Sequence, residues 1–181
     1  MSHLTIYAED EPDKAVLSTG DLGQIQEKLA EAGITLKRWH AAHALSDDAE
    51  NASIIAAYQS EIDQLVASGG YQSYDVVSMN ADHPDKGEFR QKFLAEHTHS
   101  EDEIRFFVRG HGLFIMHVNG HVYSMLCEKD DLISVPADTK HWFDMGPNPN
   151  FTAIRLFNNP QGWVANFTGD DIASRFPLLE N

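Results

Sequence analysis

The second half of the sequence is a succession of short runs in which apolar and polar residues alternate. The runs are residues 103–109, 113–118, 121–126, 132–135, 141–145 and 151–157. Alternation with period two is typical of strands that bury one face. Asn119-Gly120 separates two of the runs and favours a two-residue hairpin turn, because both positions adopt positive φ. Six or more short strands whose edges must be hidden predict a small antiparallel β-barrel or a double-stranded jelly roll.

The first half is predicted to mix helices and strands. Strands are expected at residues 4–8, 34–40 and 74–79. Helices are expected behind the capping candidates Ser18, Thr19 and Asp21 with a stop at Gly33, from residue 47 or 48 to 68, and after Pro84. We therefore expect one domain over residues 1–181, mainly β with N-terminal helices. In it, residues 1–94 pack on a barrel formed by residues 95–181.

Charge and cysteine content restrict the partners and the compartment. The 28 acidic and 13 basic residues give a net charge of −15, which repels phosphate backbones and anionic lipid head groups. Neither nucleic acid nor a membrane is an expected partner, and the longest uncharged stretch, residues 110–127, is too polar to span a bilayer. The single cysteine, Cys127, and an N-terminus unlike a signal peptide predict a cytoplasmic protein.

The spacing of His97, His99 and Glu103 favours a metal site. In an extended chain, even offsets place side chains on one face of a sheet, where they converge on one ion. Glu101 has the same parity and competes with Glu103 on geometry alone. His141, on a later strand, completes three imidazoles and one carboxylate and leaves two octahedral positions open. Chance gives about 0.04 such His-x-His-x3-Glu patterns in this composition, so exposed strand histidines are the weaker interpretation.

Two segments resemble the paired sequence motifs of the cupin superfamily. They are His97-x-His99-x3-Glu103-x6-Gly110 and Pro136-x-Asp138-x2-His141. The second departs from the usual pattern, with Asp130 and Asp138 in place of glycine and Met145 where asparagine is frequent. The resemblance implies a cupin-type antiparallel β-barrel and leaves the function open, since one fold supports many activities.

The sequence around these motifs resembles bacterial acireductone dioxygenases. The similar segments are residues 96–107, 128–136, 141–146, 151–157 and 167–171, with 55–58 and 70–73 in the helical half. The resemblance implies a monomeric enzyme of methionine salvage that oxidises 1,2-dihydroxy-5-(methylthio)pent-1-en-3-one with O2. With Fe(II), the implied products are 4-methylthio-2-oxobutanoate and formate. With Ni(II), they are 3-(methylthio)propanoate, formate and carbon monoxide.

The resemblance also assigns site residues. It implies one Fe(II) or Ni(II) ion per chain with the ligands His97, His99, Glu103 and His141, and the family spacing favours Glu103 over Glu101. It places Arg105 beside the small-molecule substrate, where a guanidinium favours loss of substrate protons and stabilises the anion. Arg155 is a second candidate for anion stabilisation, and its alternative role is pairing with a buried acid.

Other residues next to the motifs have two interpretations each. The methylthio tail of the substrate needs an apolar slot, and the candidates for its wall are Phe93, Pro136, Phe143 and Trp163. The alternative for each is simple packing in the core. Glu96 and Asp102 are expected to orient imidazoles or to aid metal uptake. Their alternative is a solvated acidic face.

Two other functions use the same metal motif. One is a different cupin enzyme, an isomerase or another dioxygenase, with the same ligands and another substrate. The other is a non-catalytic cupin that binds a metal or a small ligand. The similarity extends through flanking segments that metal binding alone does not require, and it therefore favours the acireductone dioxygenase hypothesis.

Overall fold

A computed structural model describes residues 1–161 and 163–180, in which strands dominate and most helices precede the longest strands. The elements are β1 (His3–Ala8), β2 (Ala15–Thr19), α1 (Leu22–Glu31), β3 (Thr35–Arg38), α2 (Asn51–Ala57), α3 (Gln59–Gly69), β4 (Ser73–Met79), α4 (Lys86–Phe93), β5 (His97–Thr98), β6 (Glu103–Val118), β7 (His121–Glu128), β8 (Asp131–Val135), β9 (Lys140–Asp144), β10 (Asn150–Phe157), β11 (Asn166–Phe167) and a 3-10 helix (Ile172–Arg175).

The long strand β6 joins two antiparallel strand paths. Its first half pairs with β8 and β10, and its second half pairs with β7 and β9. One path therefore runs β3-β8-β6-β10-β4 and the other β11-β5-β9-β6-β7-β1-β2. Between the halves, Gly110 has φ of +65°, and an added Cβ would lie 1.7 Å from the Asn150 carbonyl oxygen. Only glycine fits at this position. The strand pairings confirm the antiparallel β architecture that the sequence predicts.

Two local predictions are confirmed at the level of backbone geometry. Asn119 and Gly120, between β6 and β7, have φ of +51° and +73°, as a tight hairpin turn requires. The Asp21 side chain accepts a hydrogen bond from the Gln24 backbone N–H at 2.8 Å and caps α1. The chain leaves that helix through Gly33, whose φ is +77°. These short-range patterns therefore fix where elements begin and end.

The single helix expected over residues 47–68 is wrong, because the segment forms α2 and α3. The break lies at Tyr58, which has φ of −108° and ψ of 19°. Its ring is completely buried, and its hydroxyl donates to the His43 carbonyl at 3.1 Å. The strand β2 was also missed. It contains Ser18 and Thr19, which pair with β1 instead of capping α1.

Both faces of the first part of β6 are buried, because the barrel covers one and the helices cover the other. Ile104 and Phe106 belong to a cluster with Ile54 and Tyr58 of the helical region. Phe107, of opposite parity, belongs to the larger core cluster inside the barrel. This alternation directs odd-numbered residues at the start of β6 towards the interior. Across the described ranges, no helix is both long and apolar enough to cross a membrane.

Candidate metal centre

Three buried histidines form a metal-binding site. His97 lies in β5, His99 directly follows it, and His141 lies in β9. The two strands pair antiparallel with His97 opposite His141. One ring nitrogen of each histidine lies within 4.8 Å of the other two, and none of the three residues is more than 8% exposed. Three imidazoles in this arrangement can share one ion.

Backbone carbonyls fix the orientation of all three rings. The distances from Nδ1 to the carbonyl oxygen are 2.8 Å for His97 and Ala95, 2.9 Å for His99 and Val164, and 2.8 Å for His141 and Thr139. Because a carbonyl only accepts hydrogen bonds, each Nδ1 carries a proton and donates it. In the neutral imidazole the lone pair then lies on Nε2, as in imidazoles that bind metals.

Glu103, the first residue of β6, turns one carboxylate oxygen towards these rings. Its Oε2 lies 3.5 Å from His99 Nε2 and 3.6 Å from His141 Nε2. These three atoms are buried and have no hydrogen-bond partner in the described part of the chain. Unprotonated donors that face one another at these distances repel unless a cation lies among them. The donor set fits a divalent ion. Glu101, the alternative carboxylate ligand, accepts a hydrogen bond from Asn159 at 2.6 Å instead.

Burial and a neighbouring charge keep the donors unprotonated. Burial lowers the pKa of His141 to about 3 and also lowers the pKa of His97. Burial raises the pKa of Glu103, but the surrounding charges, that of Arg105 first among them, together outweigh that effect and hold the pKa well below its usual range. Metal ligands must be deprotonated. His97, His141 and Glu103 are therefore held in their metal-binding forms at neutral pH.

Arg105 fixes the other oxygen of the same carboxylate. Its Nη2 and Nε donate to Glu103 Oε1 at 2.8 and 3.1 Å. The guanidinium carbon lies 4.7 Å from the ring centroid of Phe114 and 5.0 Å from that of Phe143. Two aromatic faces and one carboxylate therefore hold this buried cation. Glu103 in turn has one oxygen committed to Arg105 and one directed at the imidazoles.

A cavity of about 360 Å³ lies beside His97 and His99. Its other lining residues are Lys92, Phe93, Arg105, Phe143, Arg155, Trp163, Val164, Ala165 and Phe167. Three of the four apolar residues expected near the substrate, Phe93, Phe143 and Trp163, are in this wall. Pro136 is not among the described lining residues. It is exposed, and it faces Gly33, where an added Cβ would lie 4.0 Å from Pro136 Cγ.

Arg155 combines features of both roles considered for it. It lies opposite Arg105 in the register of β6 and β10 and lines the same cavity. Its Nε and Nη2 donate to the Asp75 carboxylate at 2.9 and 2.6 Å. The side chain of Asp75 is 45% exposed, so the paired acid is not a buried one. The ion pair holds Arg155 while its guanidinium borders the cavity.

Glu96 and Asp102 both make specific hydrogen bonds, but not to the metal-facing rings. Glu96 is 1% exposed, and it accepts hydrogen bonds from His117 Nδ1 at 2.9 Å and Thr168 Oγ1 at 2.8 Å. It is not part of a solvated acidic face. Asp102 is exposed and accepts from the Ala137 backbone N–H at 2.8 Å. Glu96 therefore links the start of β5 to β6 and to the chain after β11. Asp102 stabilises the turn before β9.

The sequence interpretation missed two contributions to the site. The Val164 carbonyl, which orients His99, has no sequence pattern of its own because every residue has such a group. Lys92 and Phe167 line the cavity, although neither was considered as a site residue. Phe167 begins one of the segments that resemble the acireductone dioxygenases, and Lys92 precedes Phe93. The resemblance is thus an indication for Phe167, and proximity to Phe93 is the one for Lys92.

Comparisons with known proteins agree over nearly the whole chain. Residues 3–165 match the ARD/ARD′ family. An acireductone dioxygenase of Pseudomonas aeruginosa is 56% identical over 100% of both chains, and one of Alcanivorax borkumensis is 58% identical over 98% of both. A solved acireductone dioxygenase from Bacillus anthracis, with a cadmium ion in its active centre, has a TM-score of 0.78 and 29% identity. That similarity covers 92% of this chain and 98% of the solved one.

Proposed function

The chain belongs to the ARD/ARD′ family and is an acireductone dioxygenase, a metal-dependent enzyme, and from this premise we propose its metal, ligands and pathway. The ion is Fe(II) or Ni(II), one per chain, and the ligands are His97, His99, Glu103 and His141. The substrate is 1,2-dihydroxy-5-(methylthio)pent-1-en-3-one, an intermediate of methionine salvage. The observation that carries this proposal is the group of buried donor atoms without hydrogen-bond partners among the described residues.

Either ion is compatible with the proposed ligands. Imidazole and carboxylate groups bind both Fe(II) and Ni(II), so availability of the metal decides which is loaded. With Fe(II) the proposed products are 4-methylthio-2-oxobutanoate and formate. With Ni(II) they are 3-(methylthio)propanoate, formate and carbon monoxide. The two outcomes need no change of ligand.

Two arginines provide the charge that the substrate needs. When bound, the ion would act as a Lewis acid towards the oxygens of the enediol-ketone. Arg105 and Arg155 border the same cavity, and their positive charge favours the deprotonated, electron-rich form of the substrate. Arg105 holds Glu103 at the same time. It therefore positions a ligand and stabilises negative charge from one fixed place.

The aromatic side of the cavity suits the methylthio tail. Phe93 and Phe143 pack edge to face with ring centroids 6.2 Å apart, and both line the cavity. Trp163 is 59% exposed and also lines it. An apolar tail against these rings excludes water from the charged side of the cavity, where electrostatic interactions become stronger.

We also propose a cytoplasmic monomer whose partners are the small substrate and O2, and not nucleic acid or membranes. The net charge of −15 supports the exclusion of polyanionic partners. The only cysteine, Cys127, is buried and unpaired, which is compatible with a reducing compartment. The cluster that joins Tyr58 of the helical region to Phe106 of the barrel supports a single domain over residues 1–181.

Product analysis tests the proposal. Metal-free protein is loaded separately with Fe(II) and Ni(II) and supplied with acireductone and O2. We expect formate and the keto acid from the iron sample, and carbon monoxide from the nickel sample. Metal uptake without O2 consumption in either sample would contradict the proposal. That outcome would favour a different cupin substrate or a non-catalytic binding function.

A further inference from the structure

The wall of the site cavity has a charge opposite to that of the protein. Three of its lining residues are cationic, Lys92, Arg105 and Arg155. No aspartate or glutamate is among the described lining residues, although the chain has 28 acidic and only 13 basic residues. A cavity of one sign in a protein of the other sign concentrates the field on a small region.

The three cations differ in how they are compensated. Arg105 donates to Glu103, and Arg155 donates to Asp75. Lys92, in the last turn of α4, has no carboxylate within 4.0 Å among residues 1–161 and 163–180. Its side chain is exposed, so it borders the cavity from the solvent side. Lys92 therefore contributes the uncompensated charge of this wall.

The substrate has a matching charge. An enediol conjugated to a ketone is a vinylogous carboxylic acid, and it loses a proton to give a delocalised enediolate. An anion that approaches this protein meets a net charge of −15. A free ammonium group at the cavity offsets that repulsion where the anion must enter.

We propose that Lys92 captures the enediolate form of the substrate at the entrance of the cavity and selects it over the neutral enediol. This inference rests on the proposed function. Lys92 acts before the chemical step, through a long-range attraction that increases the rate of productive encounter. Arg105 and Arg155, which are already paired, act on the substrate once it is inside.

Steady-state kinetics of the Fe(II)-loaded enzyme at low and high salt test the inference. At roughly 20 mM ionic strength we expect Lys92→Met to lower kcat/KM about three- to tenfold, with kcat changed less than twofold. At about 0.5 M salt the difference from the unmutated enzyme should disappear, because charges are screened over a few ångströms. Lys92→Arg should restore kcat/KM at low salt.

Lys37→Met is the matched control. Lys37 is an exposed residue of β3 that does not line the cavity, and its removal changes the net charge by the same amount. We expect kcat/KM of this variant to stay within twofold of the original at both salt concentrations. An equal loss in both variants would overturn the inference, because it would show an effect of net charge alone.

Two further results would also overturn the role of Lys92. One is an unchanged kcat/KM in Lys92→Met at low salt. The other is a loss that persists at high salt and in Lys92→Arg, which would indicate a packing role at the C-terminal end of α4. Absence of turnover in the unmutated, metal-loaded enzyme is a different result, since it would overturn the proposed function together with this inference.

Discussion

Asp144 and Glu103 are both nearly inaccessible to solvent, at 0% and 2% exposure, but their carboxylates have different partners. Each oxygen of Asp144 has two donors: Arg90 Nε and Gly146 N on Oδ1, and Arg90 Nη2 and Leu179 N on Oδ2. Glu103 has Arg105 on one oxygen, while the other faces two imidazole Nε2 atoms and has no hydrogen-bond partner among the described residues. A satisfied carboxylate supports the fold, whereas a bare one destabilises it until a cation binds.

Asp131 extends the comparison to a third buried carboxylate. It accepts hydrogen bonds from Ser2 Oγ at 2.6 Å, Arg38 Nη1 at 2.8 Å and the Glu128 backbone N–H at 2.9 Å. Among the residues that the structure describes, one buried side-chain nitrogen or oxygen outside the metal centre lacks a hydrogen-bond partner. It is the amide oxygen of Asn158. Buried polar atoms without a hydrogen-bond partner are therefore concentrated at the metal centre.

Removal of one ligand should have the largest effect. We expect His141→Ala to lower turnover on the order of 1000-fold or more, because three remaining ligands bind the metal weakly and place it poorly. The metal-free variant should stay folded, since the substitution removes one of the donors that repel one another. Metal analysis together with circular dichroism measures both effects. A stoichiometric metal content in this variant would refute its role as a ligand.

Loss of a satisfied carboxylate should give the opposite pattern. We expect Asp144→Asn to destabilise the metal-free protein by about 3 kcal/mol, because the amide removes the negative charge beside Arg90 and leaves one Arg90 N–H and one backbone N–H without an acceptor. The folded variant should still bind one metal ion per chain. Urea unfolding measures the change, with Asp82→Asn at an exposed position as the control. Equal stability of the two variants would show that the Asp144 contacts contribute little.

Arg105 belongs to both sides of this comparison, since it satisfies one oxygen of Glu103 and borders the cavity. We expect Arg105→Ala to retain the metal and to lower kcat about 100-fold, because a cation that stabilises the substrate anion is lost. Arg105→Lys should recover part of that loss. Metal content and steady-state rates on the same preparations decide the matter, and an unchanged kcat in the alanine variant would remove the proposed role.

The smallest effect concerns Asp131 and pH. Burial raises the pKa of this carboxyl in the folded protein, so the folded state binds the proton more readily than the unfolded state does. Relative to Asp131→Asn, the unmutated protein should therefore be most stable below about pH 4. It should lose that advantage as pH rises through the raised pKa. Urea unfolding of both proteins over pH 4 to 7 tests this, and a stability difference that grows with pH would contradict it.

Local pattern was sufficient for some elements and insufficient for others. Asn119-Gly120 and the Asp21 cap were predicted because turn and cap geometry depend on a few adjacent residues. The break at Tyr58 was not predictable in this way. It accompanies a buried ring whose hydroxyl bonds to His43 and which packs against Phe106, and such tertiary contacts override helical periodicity.

The candidate site shows the same division. The spacing of His97 and Glu103 predicts that both lie on one extended strand. In the structure the chain bends between them, and they lie in β5 and β6. They are linked through β9, because His141 pairs with His97 and its Nε2 lies 3.6 Å from Glu103 Oε2. The carbonyl of Val164 and the cavity position of Lys92 come from parts of the chain with no motif. Long-range packing determines both positions, and such packing cannot be predicted directly from a single sequence.

X-ray absorption spectroscopy of the Ni(II)-loaded protein tests the central claim most directly. If the bare donors of the centre hold the catalytic ion, the spectrum should show only nitrogen and oxygen neighbours, with the multiple scattering of three imidazoles. One imidazole contribution should be absent from the small fraction of metal that His141→Ala retains. A sulfur neighbour, or fewer than three imidazoles in the unmutated protein, would contradict the account.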